Sequence, residues 1–312
     1  MQTKPYATTV KRPVKKAWGR AIHNTGYLFI TPFVLIFLLF SIYPVFRTLY
    51  ISFTSYKGFG KIEPVGIDNY TRVFGDPIYW DAFVNTLQIW SVNIILQLGI
   101  ALALTVVFND MKYRINGLGV FRALFYLPNL IAATSVAFLF KNLLDWKFGS
   151  FNQILLGSGL MKQAVNWLGM PMTAQVSVSV IGAWMWFGNS FILLMAAVQG
   201  ISRDYYESAI IDGAGRWKIF SKITMPLIKP VMLYVAITSL IGGLQMFDIP
   251  FLITDGQGAP SRSLNTAVMY LYNMAFRNRQ MGYAAAIAFV LFAIIAIASA
   301  VTYKLFYRRK ED

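Results

Sequence analysis

The chain has 312 residues, 57% hydrophobic and 13% charged, with a formal net charge of +15 and no cysteine. So apolar a composition excludes an ordinary soluble domain, and the missing thiols exclude disulfides, thiolate metal clusters and cysteine nucleophiles. The basic residues lie between apolar runs too long for soluble helices, which fits anionic lipid and an acidic protein surface and argues against nucleic acid.

Residues 1–26 carry Lys4, Lys11, Arg12, Lys15, Lys16 and Arg20 without an acid and read as a basic tail. The uncharged run Tyr27 to Phe46 exceeds the apolar core of a signal peptide and lacks a small-residue cleavage site, so it predicts an uncleaved first span. Ser52 to Asp81 is polar and turn-rich and reads as an external loop. Ala82 to Phe108 predicts the second span, with Gln88, Asn93 and Gln97 forming a polar stripe toward protein. Bonding to neighbouring helices is the preferred role for that stripe, ahead of solute contact. After a basic connection, Ala123 to Phe140 predicts a third span kinked near Pro128 and Asn129. Lys141 to Met172 reads as a partly helical outer loop.

Thr173 to Gln199 predicts the fourth span, bearing Trp184, Trp186 and Asn189. Pro230 to Thr254 predicts the fifth, with Gly242 and Gly243 marking either close packing or a bend. Its Asp248 is the one acid in a predicted span, and its place near the outer end favours a hydrated structural role. A glycine-rich turn follows at 255–260, then the sixth span, Gly282 to Tyr303, and a short basic tail at 307–312. Loops on the even side hold eighteen Lys and Arg against nine on the other, placing both termini in the cytoplasm. The expected organisation is all-α: a tail at 1–26, a six-helix membrane domain at 27–306, and a tail at 307–312.

Between the fourth and fifth spans lies a cationic segment, 203–226. Asp204 and Glu207 suit a capping-box helix start, Gly213 a left-handed turn, and Trp217, Phe220 and Ile223 a second short helix that Pro226 discourages from continuing. The composition alone equally fits an amphipathic loop resting on lipid. The register of Glu207, Ala209, Gly213, Ile223 and Pro226 resembles the EAA loop of binding-protein-dependent ABC importer permeases, with Ser208 and Met225 departing from the pattern. Tyr205 to Glu207 and Asp212 to Ala214 resemble the carbohydrate-uptake branch, and Thr254 to Pro260 resembles a turn usual in the permease family, with an altered second glycine.

That resemblance implies the type I ABC importer permease fold in a bacterial or archaeal cytoplasmic membrane. It also implies a second homologous permease, two cytoplasmic ATPase subunits, an extracytoplasmic solute-binding protein and a sugar substrate. Glu207, Ala209, Asp212, Gly213, Trp217, Phe220, Ile223 and Pro226 would then couple to the ATPase. Trp186, Asn189, Ser239, Gly242 and Gly243 would lie along the substrate path; bonds from Asn189 and Ser239 to neighbouring helices are the competing account. The single histidine, His23, and the lack of a phosphate-binding glycine loop speak against an enzyme. No cofactor is expected in this chain, and ATP and Mg would be bound by the partner subunits. Another polar solute, such as glycerol phosphate, and a secondary transporter are the alternatives. The second is disfavoured because the spans hold almost no ionisable residue at mid-depth.

Overall fold

A computed structural model describes residues 17–109 and 117–307. Most of the expected basic tail (1–16), the middle of the basic connection (110–116) and the last residues (308–312) lie outside the described residues. The chain divides into two units, the first ending at Ile51. In that unit α1 (Ala17–Phe37) passes through a π-helical turn, Leu38–Ile42, into α2 (Tyr43–Ser52). Helix therefore reaches back into the stretch read as a tail. The π turn immediately precedes Tyr43 and Pro44, where the missing proline N–H would interrupt an α-helical ladder in any case.

The second unit begins at Ser52. Its opening stretch is less loop-like than expected: Thr54 bridges Pro64, and α3 (Asp68–Phe74) follows. Asp76 then caps α4 (Pro77–Phe108), accepting the backbone N–H of Ile78 at 3.0 Å and of Tyr79 at 3.4 Å. Pro77 sits at the first helical position, where its absent donor is no loss.

Along α4 the buried residues are Tyr79, Ala82, Thr86, Ile89, Asn93, Gln97, Ala101 and Thr105, an unbroken succession of three- and four-residue steps. That stripe enters each of three buried apolar clusters, through Tyr79 and Ala82, through Ile89, and through Ala101. It makes α4 the axis of the unit. Asn93 and Gln97 belong to the stripe, but Gln88 is exposed. The five residues from Gln88 to Asn93 turn the helix well past one full turn, so the two side chains leave on different faces.

The expected third span is not one helix. It is α5 (Leu118–Leu130) and α6 (Ala133–Leu143), joined through extended backbone at Ile131 and bent by 90°. The helix runs through Pro128, so the break falls beyond the proline that predicts it. Packing sets the angle: α5 lies on α8 (Pro171–Gln199) so closely that a Cβ at Gly188 would fall on the Phe125 carbonyl, while α6 turns away against α12 (Asp248–Thr254). The outer loop between α6 and α8 carries α7 (Ser150–Gly157).

Beyond α8 come α9 (Arg203–Ile211), α10 (Arg216–Ile219) and a π turn, Phe220–Thr224, which leads into α11 (Met225–Leu244). Pro226 does not stop this helix, because it falls in the first turn after the π segment. The expected fifth span breaks just after its paired glycines, and α12 begins at Asp248. The sequence gives no warning of α13 (Ala267–Tyr272) or of the π turn Asn273–Arg277 before the last helix, α14 (Met281–Tyr307). Thr266 fixes α13 by donating to the Met246 carbonyl at 2.7 Å and accepting from the Met269 N–H at 3.3 Å.

Among the described residues, Tyr27–Ser52, Pro77–Phe108, Pro171–Gln199, Arg216–Thr254 and Met281–Phe306 are each long and apolar enough to cross a bilayer. The bent α5–α6 pair would make a sixth span if it counts as one. The fold is all-α and that of a multi-pass membrane protein.

Candidate functional site

A cavity of about 270 Å³ lies between α4, α8, α11 and the start of α12. Trp186, Asn189, Ser239, Gly242 and Gly243, the residues expected along a substrate path, all line it. So do Asn93 and Gln97 from α4. One amide ties three helices: Gln97 donates through Nε2 to Ser190 Oγ at 2.7 Å and accepts from Ser239 Oγ through Oε1 at 3.3 Å. Asn93 donates to the Ser179 carbonyl at 3.2 Å, and Ser179 donates to the Ile89 carbonyl at 2.9 Å. Ser239 and the α4 amides thus hold helices together while presenting polar surface to the cavity. The Asn189 amide has no hydrogen-bond partner among the described residues, and Trp186 is 49% exposed.

The two glycines do different work. A Cβ at Gly243 would collide with the Trp90 indole, whereas one at Gly242 would meet nothing within 4 Å. Gly243 is therefore required for α11 to approach α4, and Gly242 keeps the cavity wide. Asp248, expected near the outer end of the fifth span, is also part of the wall. The helix break at Gln245–Phe247 explains this, because the chain turns and restarts at Asp248 beside the cavity. Thr238 and Gln245 line it too and were not singled out from sequence, where isolated polar residues in an apolar run carry no sign of which way they face.

At one end of α8 and α11 the segment 203–226 forms a helix, a turn and a helix. Ser202, not Asp204, is the N-cap of α9: its Oγ accepts the Asp204 N–H at 3.3 Å and donates to Asp204 Oδ2 at 3.0 Å. The turn is a Schellman motif, with Ala214 N–H donating to the Ala209 carbonyl at 2.9 Å and Gly213 N–H to the Ile210 carbonyl at 3.0 Å. Gly213 has φ +71°, a conformation costly for any residue with a Cβ. Tyr206, buried, reaches Thr224 hydroxyl to hydroxyl at 3.3 Å and pins α9 to the π turn.

This segment leaves large apolar side chains uncovered among its charged ones. Ile211 is 85% and Trp217 77% exposed, and Trp217 packs only loosely on Phe220 at 5.7 Å between ring centroids. Glu207, Asp212 and Pro226 are exposed, while Ala209, Phe220 and Ile223 are half-buried. Among the described residues the Glu207 carboxylate has no ion-pair or hydrogen-bond partner. A surface with bare aromatic and aliphatic side chains beside an unpaired acid has the composition of a protein interface.

The family described as the binding-protein-dependent transport system inner membrane component matches residues 95–311. The chain belongs to that family. As a member of these permeases it is 33% identical over 306 residues to the lactose transport system permease protein LacF of Rhizobium radiobacter, covering 98% of this chain and 99% of LacF. It is 31% identical to the arabinooligosaccharides transport system permease protein AraP of Bacillus subtilis, covering 97% of each. A chain from the crystal structure of a bacterial ABC transporter that imports the acidic polysaccharide alginate has the same fold, with a TM-score of 0.79. That chain is 22% identical, over 96% of this permease and 100% of the other. The family match takes in the whole helix-turn-helix segment and every cavity residue named above except Asn93.

Proposed function

We propose that this permease forms half of the membrane path of an ATP-driven importer for a sugar or oligosaccharide. The solute would be delivered by an extracytoplasmic binding protein. A second permease would complete the path, and two cytoplasmic ATPase subunits, holding the ATP and Mg, would drive it. The membrane would be the cytoplasmic membrane of a bacterium or archaeon, with both termini and the 203–226 segment inside.

One observation carries the reading: the helices that line the cavity are those that enter and leave the exposed segment. α8 bears Trp186 and Asn189 and runs to Gln199, just before α9; α10 passes through the π turn into α11, which bears Ser239 and Gly242. A displacement of the segment by an ATPase would therefore reach one cavity wall through continuous helix from α10 to α11 and the other through the short link at 200–202 into α8. Two packed arrangements biased by nucleotide are enough for alternating access. The cavity chemistry supports a sugar, since an exposed indole offers a flat face to ring C–H groups and amides and hydroxyls match sugar hydroxyls.

The reading is tested by purifying the tagged permease from its native membrane. The expected result is a complex with nucleotide-hydrolysing subunits whose turnover rises on adding loaded binding protein. Recovery without any such subunit, together with uptake that survives ATP depletion, would point to a secondary transporter instead.

A further inference from the structure

We infer that Asp248 makes the cavity a charge filter, so that the transported solute is a neutral saccharide and anionic sugars such as uronates and sugar phosphates are excluded. The inference rests on the proposal that this cavity is the solute path. It comes from the inventory of the wall. Among the described residues lining the cavity, Asp248 is the only charged one, and Lys, Arg and His are absent. Its carboxylate is exposed and has no ion-pair or hydrogen-bond partner among the described residues.

Two cations at the far end of α12 are committed elsewhere. Lys141 pairs with Asp255 at 3.1 Å, and Arg277 donates to the carbonyls of Asp255 and Gly256 at 3.0 and 3.1 Å. Asp255 follows the last residue of α12, so these groups sit about 10 Å along the helix from Asp248 at its start. A carboxylate in a narrow, partly apolar cavity projects its field across the space, because low-dielectric walls screen it less than bulk water does. An entering anion meets that field, and the described wall of this chain offers no cation to offset it. A neutral polyol instead finds a strong acceptor, since a carboxylate takes hydroxyl hydrogen bonds more tightly than a neutral oxygen does. The fold leaves this choice open: the structurally similar importer serves an acidic polysaccharide.

Because the chain lacks cysteine, the cavity potential can be read directly. Thr238 and Gln245 are exposed in the same wall as Asp248. In the assembled transporter in nanodiscs, Thr238→Cys would be reacted with methanethiosulfonates carrying a trimethylammonium or a sulfonate group. Modification is followed by mass on this chain, and the two rates are normalised to those with 2-mercaptoethanol. The cation should react about tenfold faster than the anion, Asp248→Asn should remove most of that preference, and Asp248→Lys should reverse it. Gln245→Cys, read in the same way, serves if the first variant does not assemble. Equal normalised rates, or a preference untouched by Asp248→Asn, would overturn the filter. A permease that shows the preference yet copurifies with no ATPase would instead sink the importer reading while leaving the electrostatics intact.

Discussion

Gln97 and Ser239, 142 positions apart in the chain, share a hydrogen bond in the cavity wall, and the other end of the same amide holds Ser190. Since α4, α8 and α11 meet on one side chain, Gln97→Leu should remove two interhelical bonds. The expected loss is about 1 kcal/mol, given the modest worth of such bonds in membranes. A lowered midpoint in a detergent thermal-shift measurement checks it, and an unchanged midpoint would argue that the amide is not a tie.

The paired glycines should separate by phenotype. Gly243→Ala forces a methyl into the Trp90 indole and should destabilise by about 1–3 kcal/mol, as overpacking does. Gly242→Ala meets open space and should leave the thermal midpoint in place, and larger residues there should reduce uptake progressively as they fill the cavity. Parallel melting and uptake curves distinguish the two positions.

In the exposed segment, Gly213→Val would place a β-branched residue at φ +71° and break the Schellman turn. Loss of ATPase association with the permease still inserted is the expected outcome. Trp217→Ala removes a side chain that is 77% exposed, so it should leave the isolated permease as stable as before while weakening ATPase capture by about 2 kcal/mol or more, the scale of an interface anchor. Pull-down of the ATPase subunit at graded concentrations reads both.

Orientation is open to a direct chemical test. Single cysteines at Lys61, Gly157 or Gln257 should react in intact cells with a membrane-impermeant thiol reagent, and one at Lys218 should react only after the membrane is opened. Labelling of Lys218→Cys from outside would reverse the topology.

Asp76 gives a pH signature. Burial would raise its carboxyl, but hydrogen bonds from the Tyr270 and Tyr283 hydroxyls and from the Tyr79 and Ile78 N–H groups outweigh burial and hold the pKa below its ordinary value. The stabilisation is therefore complete above the unfolded value, near ~3.9, and is lost as pH falls through the folded one. The gap in thermal midpoint between wild type and Asp76→Asn should stay constant from about pH 6 to 8 and close below about pH 4. A gap that instead grew with acidity would contradict this assignment.

The periodic features were legible in advance. Apolar runs located most of the long helices, and the register from Glu207 to Pro226 located the exposed segment. What sequence could not supply was direction. Gln88 looks like a companion of Asn93 until the helical angle is counted, and nothing local says that Gly243 meets an indole while Gly242 meets space. The right angle at Ile131 follows from what α5 and α6 pack against, not from the nearby proline. α12 and α13 have seven and six residues, too short to show a period; α12 packs against the distant α6, and the start of α13 is held by Met246 and Thr86.

The contact of Gly188 with the Phe125 carbonyl sets how force can travel. With main chain against main chain there is no side chain between α8 and α5 to flex or change rotamer, so at that point the pair behaves as a single strut. A push at the Gln199 end of α8 would then carry α5 with it, with any give left to the extended link at Ile131. The right-angled corner between α5 and α6 thereby becomes the joint at which a sliding strut can turn into a swing of α6 beside the cavity, where Ala133 stands in the wall.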